Sequence, residues 1–294
     1  MLKKKALVLF LSVFLFLICQ TGMAAVKNPI QSVFNKPDVT TEGLEITSLT
    51  FDSIEGLLNI KVNNLNSISI DYPQVTWTLK LGEILYKTET LPEGGKIAPN
   101  KVEEIQIPVS IPFQELYEKH PSLQRVDVVT YTVTADCSFK LPIFGKSNNS
   151  VVATGELPML KKPVVNLDSI QLTSMEPNQV VFAVTASIQN KNGFDIHLER
   201  VDYSLVINNT KWAMGNTRRQ ILVRPAQKSD IPLNIALRTS SMVSEAYALV
   251  LSEQDVRFDF QGTLFCKTSS PYLKSFELPF QLIGKKRIKL CYKD

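Results

Sequence analysis

The chain has 294 residues, of which 44% are apolar and 20% charged; this composition excludes a largely disordered protein, and the length allows two independent cores. Its formal charge of +4 includes three lysines within the first five residues, and without residues 1–24 the remaining 29 basic and 28 acidic side chains leave +1. A near-neutral body lacks the basic face that nucleic-acid binding uses to displace phosphate counterions.

The N-terminal segment has a basic start (Lys3, Lys4, Lys5), an apolar core from Ala6 to Ile18, and a short polar stretch ending in small residues. This is the layout of a secretory signal. The core is shorter than the ~20 residues a membrane-spanning helix requires. Gly22-Met23-Ala24 suits ordinary cleavage after Ala24. Cys19 offers a second route, lipidation at a bacterial lipoprotein site, although the bulky Ile18 before it fits such a site poorly. The expected location is therefore the periplasm or cell envelope, with a lipid anchor through Cys19 as the alternative. Residues 25–35 form an exposed lead-in.

From residue 36 the sequence alternates with a period of two. Leu58, Ile60 and Val62 form one run, Val75, Trp77, Leu79 and Leu81 the next, and Ile105, Ile107, Val109 and Ile111 another. Such runs bury one face of each strand and hydrate the other, as in antiparallel sheets packed face to face. Phe113, Leu116 and Tyr117 instead fall at helical spacing.

The pattern then recurs. Residues 61–79, KVNNLNSISIDYPQVTWTL, align without a gap on residues 187–205, SIQNKNGFDIHLERVDYSL, at an offset of 126. Asn64 falls on Asn190, Asn66 on Asn192, and Trp77 on Tyr203. Further on, Ile107-Pro108 matches Ile231-Pro232, and Glu156-Leu157-Pro158 matches Glu277-Leu278-Pro279. A repeat this long should own a complete core rather than share one. The expected layout is a first β-sandwich over 36–160 and a second over 161–294, joined at PMLKKPVV, where two prolines stiffen the connection. The second copy places its helical spacing at SMVSEAYALVLSEQ, residues 241–254.

The repeated asparagines close a strand and fix the following turn, since asparagine tolerates left-handed backbone and bonds its own turn. Trp77 and Tyr203 are expected as aromatic core plugs, one per sandwich. The basic run GKKRIK, residues 284–289, reads as a solvated edge or end strand. Cys137, Cys266 and Cys291 occupy non-equivalent places in the repeat; a Cys266–Cys291 bridge and an unpaired buried thiol both fit. His120 and His197 form no metal motif, no nucleophile elbow or phosphate loop is present, and no cofactor or catalytic residue is expected.

A Lys-Pro-x-Val start, strands ending in Asn-x-Asn, a Val-x-aromatic-x-Leu strand, an Ile-Pro strand, a helix and a Glu-Leu-Pro close occur in that order. In this the chain resembles tandem WHy (water stress and hypersensitive response) domains of the group 2 late embryogenesis abundant family. It departs from the family's frequent Asn-Pro-x pattern, with Leu65 and Lys191 between the asparagines. The resemblance implies all-β domains with one helix each, folded as immunoglobulin- or fibronectin-III-like sandwiches. It also implies a non-enzymatic protective role during dehydration, with client proteins or membrane lipid as partners. The alternative is an envelope binding module that holds a lipid or a partner protein.

Overall fold

The computed structural model describes residues 34–91, 94–141, 145–238 and 255–290. The first domain contains β1 (Asp38–Leu49), β2 (Ser53–Asn63), β3 (Ile70–Leu81), β4 (Ile84–Thr90), β5 (Gly95–Ile97) and β6 (Val102–Pro112). Then follow α1 (Phe113–Lys119), a 3-10 turn (Pro121–Arg125), β7 (Val128–Leu141) and β8 (Gly145–Pro158). The second contains β9 (Val164–Glu176), β10 (Gln179–Gln189), β11 (Ile196–Ile207), β12 (Thr210–Thr217), β13 (Ile221–Val223), β14 (Lys228–Arg238), β15 (Asp255–Thr268) and β16 (Ser275–Leu290).

Strict alternation decides the packing. In β2 every second residue, from Ile54 to Val62, is buried, and the sheet β1-β2-β6 lays this face on Val75, Trp77, Leu79 and Val133 of the sheet β4-β3-β7-β8. A second core is built the same way from Phe182, Val184, Leu205, Phe260 and their neighbours. Two tandem antiparallel sandwiches result. In the second, a short parallel pairing of Ile288–Leu290 with Ile170–Leu172 ties β16 to β9 and joins both sheets along one side. The helix expected at Phe113 is α1, which buries Phe113 and Leu116; the one expected over 241–254 lies outside the described residues, as do Cys19 and the cleavage site.

The ladders show how the two domains correspond. Strands β2, β3, β5 and β6 map onto β10, β11, β13 and β14 at the unbroken offset of 126. Leu58 pairs with Ile107, and at the same offset Val184 pairs with Leu233. The structural partner of Ile107 is therefore Leu233, not Ile231, so the Ile-Pro match is a coincidence. The Glu-Leu-Pro match fails likewise. Val128 faces Pro158 at the end of β8, whereas its counterpart Asp255 faces Arg287. Glu277-Leu278-Pro279 sits near the start of β16. Turn lengths fix hairpin register, and local tripeptide identity does not.

The same registers reveal a correspondence the sequence hid. Tyr131 and Phe258 are equivalent, and their rings lie over the equivalent glycines Gly155 and Gly284 on the closing strand. A Cβ on Gly155 would sit 2.6 Å from the Tyr131 ring. Tyr131 is further fixed by accepting the Leu44 N–H on its hydroxyl at 3.0 Å.

The run GKKRIK ends the last strand: Gly284–Arg287 pair with β15 alone and Ile288–Lys289 with β9 alone, so each stretch keeps one open border as expected, with Lys285, Arg287 and Lys289 exposed and Arg287 3.6 Å from Asp255. Of the cysteines weighed for a bridge, Cys291 lies outside the described residues. Cys137 and Cys266 are buried free thiols. Burial pushes Cys137 up to about 11 and Cys266 up to about 12. At pH 8 the reactive thiolate is about one part in a thousand or less. A thiol reagent should label neither site in the native protein and both after denaturation; native labelling at pH 8 would show that the cores open.

Trp77 is fully buried against the first core. Tyr203, at the equivalent place, is only half-buried and packs tilted on Phe260 at 6.3 Å. It lies between Gly215 and Gly262 on the flanking strands, with Phe280 beyond. The plug expected there is thus a partly open aromatic surface, because Gly215 stands where a larger side chain would close over the ring, while Gly262 is itself covered by Phe280.

The free edge strands β6 and β14 carry Pro108, Pro112 and Pro232. At the 126 offset Pro232 corresponds to residue 106, so all three share one phase of the alternation. That phase places their missing N–H groups on the open side of the ladder.

Candidate functional site: asparagine clamps and the joint between domains

The repeated asparagines are buried polar side chains, and such groups must be satisfied internally. Asn64 ends β2 and turns inward because its amide Nδ2 meets three carbonyls, of Ile68 (2.8 Å), Ile97 (3.2 Å) and Ala98 (3.0 Å). Its Oδ1 accepts the backbone N–H and side-chain amide of Asn66 at 3.0 and 3.1 Å. Asn66 in turn grips the lead-in: its Nδ2 donates to the Asn35 carbonyl and its Oδ1 accepts the Asn35 N–H, at 2.9 and 2.8 Å.

The second domain repeats every element. Asn190 donates to Phe194, Val223 and Arg224 carbonyls and accepts from Asn192 at 3.0 and 3.2 Å. Asn192 grips Lys161 through the same two-point contact, both bonds at 2.8 Å. Even the supporting turn is copied, with positive φ at Asn100 and at its counterpart Ala226.

The two clamps hold different things. In the first domain the gripped segment is the lead-in; in the second it is the linker from the preceding domain. Lys161, only 6% exposed, therefore carries its ammonium into the joint, where it donates to the Val126 carbonyl at 2.7 Å and to Asp127 Oδ1 at 2.6 Å. The same Asp127 oxygen accepts the Gly193 N–H at 3.1 Å. Tyr117 donates its hydroxyl to the Leu160 carbonyl at 2.9 Å; burial first, and then the Asp127 charge, hold its proton well above the ordinary tyrosine range. Phe51 of the first domain meets Phe276 of the second edge-on at 4.8 Å, and Phe194 and Phe276 pack against both cores.

Gly193 is required here. A Cβ would lie 2.0 Å from Asp127 Oδ2, so Gly193→Ala should displace the carboxylate and cost about 1–3 kcal/mol, read by urea denaturation. Ser67, equivalent in position and exposed on the first domain, already carries a Cβ, and Ser67→Ala should be silent. Equal effects of the two substitutions would refute this account of the joint.

The clamps thus absorb all four motif asparagines in structural bonds. Among the described residues no group of three His, Cys, Asp or Glu side chains could hold a metal ion. His120 caps α1 and His197 is exposed on β11. What sequence reading missed is the joint: Asp127, Lys161 and Gly193 carry no repeat signal, because each acts only where two domains meet.

The late embryogenesis abundant (LEA_2) family model matches residues 59–152 and again residues 185–283. The chain belongs to this family. The two LEA_2 matches fall one on each sandwich. Similar solved structures include a crystal structure of a protein from Archaeoglobus fulgidus, 13% identical, covering 45% of this chain and 98% of that one with a TM-score of 0.29. Others are solution structures of a late embryogenesis abundant protein (20%, 54% and 87%, 0.36) and of a protein from Arabidopsis thaliana (17%, 48% and 92%, 0.35). At these scores they carry no argument about function. No curated protein matches the chain.

Proposed function

We propose that this LEA_2 protein is a non-enzymatic, exported, stress-protective protein of the cell envelope that limits aggregation of other proteins as water is withdrawn. The observation that carries the reading is that both halves of the body are LEA_2 domains whose motif asparagines are spent inside the fold. The N-terminal segment supports export. Client enzyme dried with the mature protein should stay more soluble than client dried with an equal mass of an unrelated folded protein; equal protection would sink the proposal. Intact-mass measurement of the exported protein should give an N-terminus at Ala25, whereas a lipid-modified Cys19 terminus would replace cleavage by anchoring.

One observation favours a second reading, a binding module. Clefts open between the two domains, and such junctions are common ligand sites.

A further inference from the structure

Two clefts, of about 470 and 320 Å³, share Phe51, Asp52 and Lys162 in their walls and open on either side of the Lys162–Asp52 ion pair. Their surfaces mix polar and apolar groups, with apolar atoms in the slight majority. Phe113 and Tyr117 stack at 5.6 Å beside the larger, and Leu273 and Phe276 line the smaller. Both exist only because the second domain docks on the first, and the volumes fall in the range of small-molecule sites.

The charge at the rim is specific. Lys161 is committed to Asp127. Lys162 is held in a solvent-exposed pair 3.2 Å from Asp52, which contributes little and exchanges readily. Lys191 is exposed, and among the described residues no carboxylate lies within ion-pair distance of it. Its backbone is nonetheless fixed, since it stands between the clamp residues Asn190 and Asn192. Gln114 and Gln124 add amide donors to the same cleft. A part-apolar slot with an unpaired ammonium on an anchored backbone, and neutral donors at its mouth, complements a single negative charge on an apolar tail.

We propose that the interdomain cleft holds a long-chain carboxylate, a ligand of the fatty-acid class, with its headgroup on Lys191 and Lys162 and its chain along Phe51 and Tyr117. This rests on the binding-module reading. The test is calorimetric titration of the full mature protein with laurate, and with lauryl maltoside as a neutral amphiphile of equal chain length. Laurate should bind saturably at one per chain and the maltoside much more weakly. Lys191→Glu should weaken laurate about tenfold, as expected for loss of a charge-assisted contact, and Lys191→Gln by less. Lys146→Glu, an equal charge change on the exposed start of β8, should leave binding unchanged. If both amphiphiles bind equally and Lys191→Glu has no effect, the carboxylate assignment is overturned while the cleft remains a binding site. If neither binds saturably, the binding-module reading falls as well. If Lys146→Glu weakens laurate as much as Lys191→Glu does, the attraction is diffuse charge and the site is refuted.

Discussion

Replacing Asn64 by alanine should destabilise the first sandwich by about 3–4 kcal/mol. The side chain is fully buried and holds three carbonyls and two N–H groups of neighbouring segments. Each hydrogen bond contributes only about 1 kcal/mol net, but buried groups left without a partner cost about 1–3 kcal/mol each, and alanine offers no replacement. Some partners will relax toward water at the loop surface, so the total stays below the sum of five. Asn190→Ala should act equally on the second sandwich, since its bonds are the same five in kind. For domains of this size the expected fall in melting temperature is about 10 °C, measurable by circular dichroism. A loss below 1 kcal/mol in either would show that the motif is not a clamp and reopen it as a binding surface.

The second large effect is an asymmetry within one ion pair. Asp127→Ala should cost about 2–3 kcal/mol, whereas Lys161→Met should cost less than about 1 kcal/mol. The Lys161 side chain is 6% exposed and that of Asp127 55% exposed. Removing the carboxylate strands a nearly buried ammonium with only the Val126 carbonyl for company, and an uncompensated buried charge is the costly case. Removing the ammonium leaves a carboxylate that still faces water and still accepts the Gly193 N–H, while the methionine keeps the apolar stem packed. Urea unfolding of the two variants side by side decides it; if Lys161→Met is the more damaging, the pair is held by the lysine's other bond and not by charge burial. Loss of the carboxylate should also let the domains move independently, visible as a broader distribution of maximum dimensions in solution scattering.

Much of the fold could be read from the sequence because alternation is a direct record of which face is dry. Leu58, Ile60 and Val62 alternate with Asn59 and Lys61, and they fold as they alternate. The ungapped match over residues 61–79 located the second domain for the same reason. The errors share a cause. Matching Ile107 to Ile231 in place of Leu233 is a shift of two, and an even shift preserves inside and outside, so periodicity cannot detect it. Only the hydrogen-bond ladder could. The exposure of Tyr203 is not legible because it is set by Gly215, which lies on the next strand and directly opposite it in the sheet. The asparagines were legible as turn-formers, but their grip on segments 31 residues upstream was not. The joint was illegible altogether, since Asp127 and Gly193 are 66 residues apart and neither is unusual in its own loop.

The prolines on β6 and β14 bear on what happens when the solution around the protein shrinks. Drying raises every protein's concentration, and sheet edges that never meet in dilute solution are forced together. An edge that accepted a neighbour's strand would seed aggregation. Pro108, Pro112 and Pro232 withhold the donors such a neighbour would need, so these two borders resist edge-to-edge pairing even at high concentration. Substituting all three with threonine should leave the dilute monomer intact and yet produce thioflavin-positive aggregates on repeated drying.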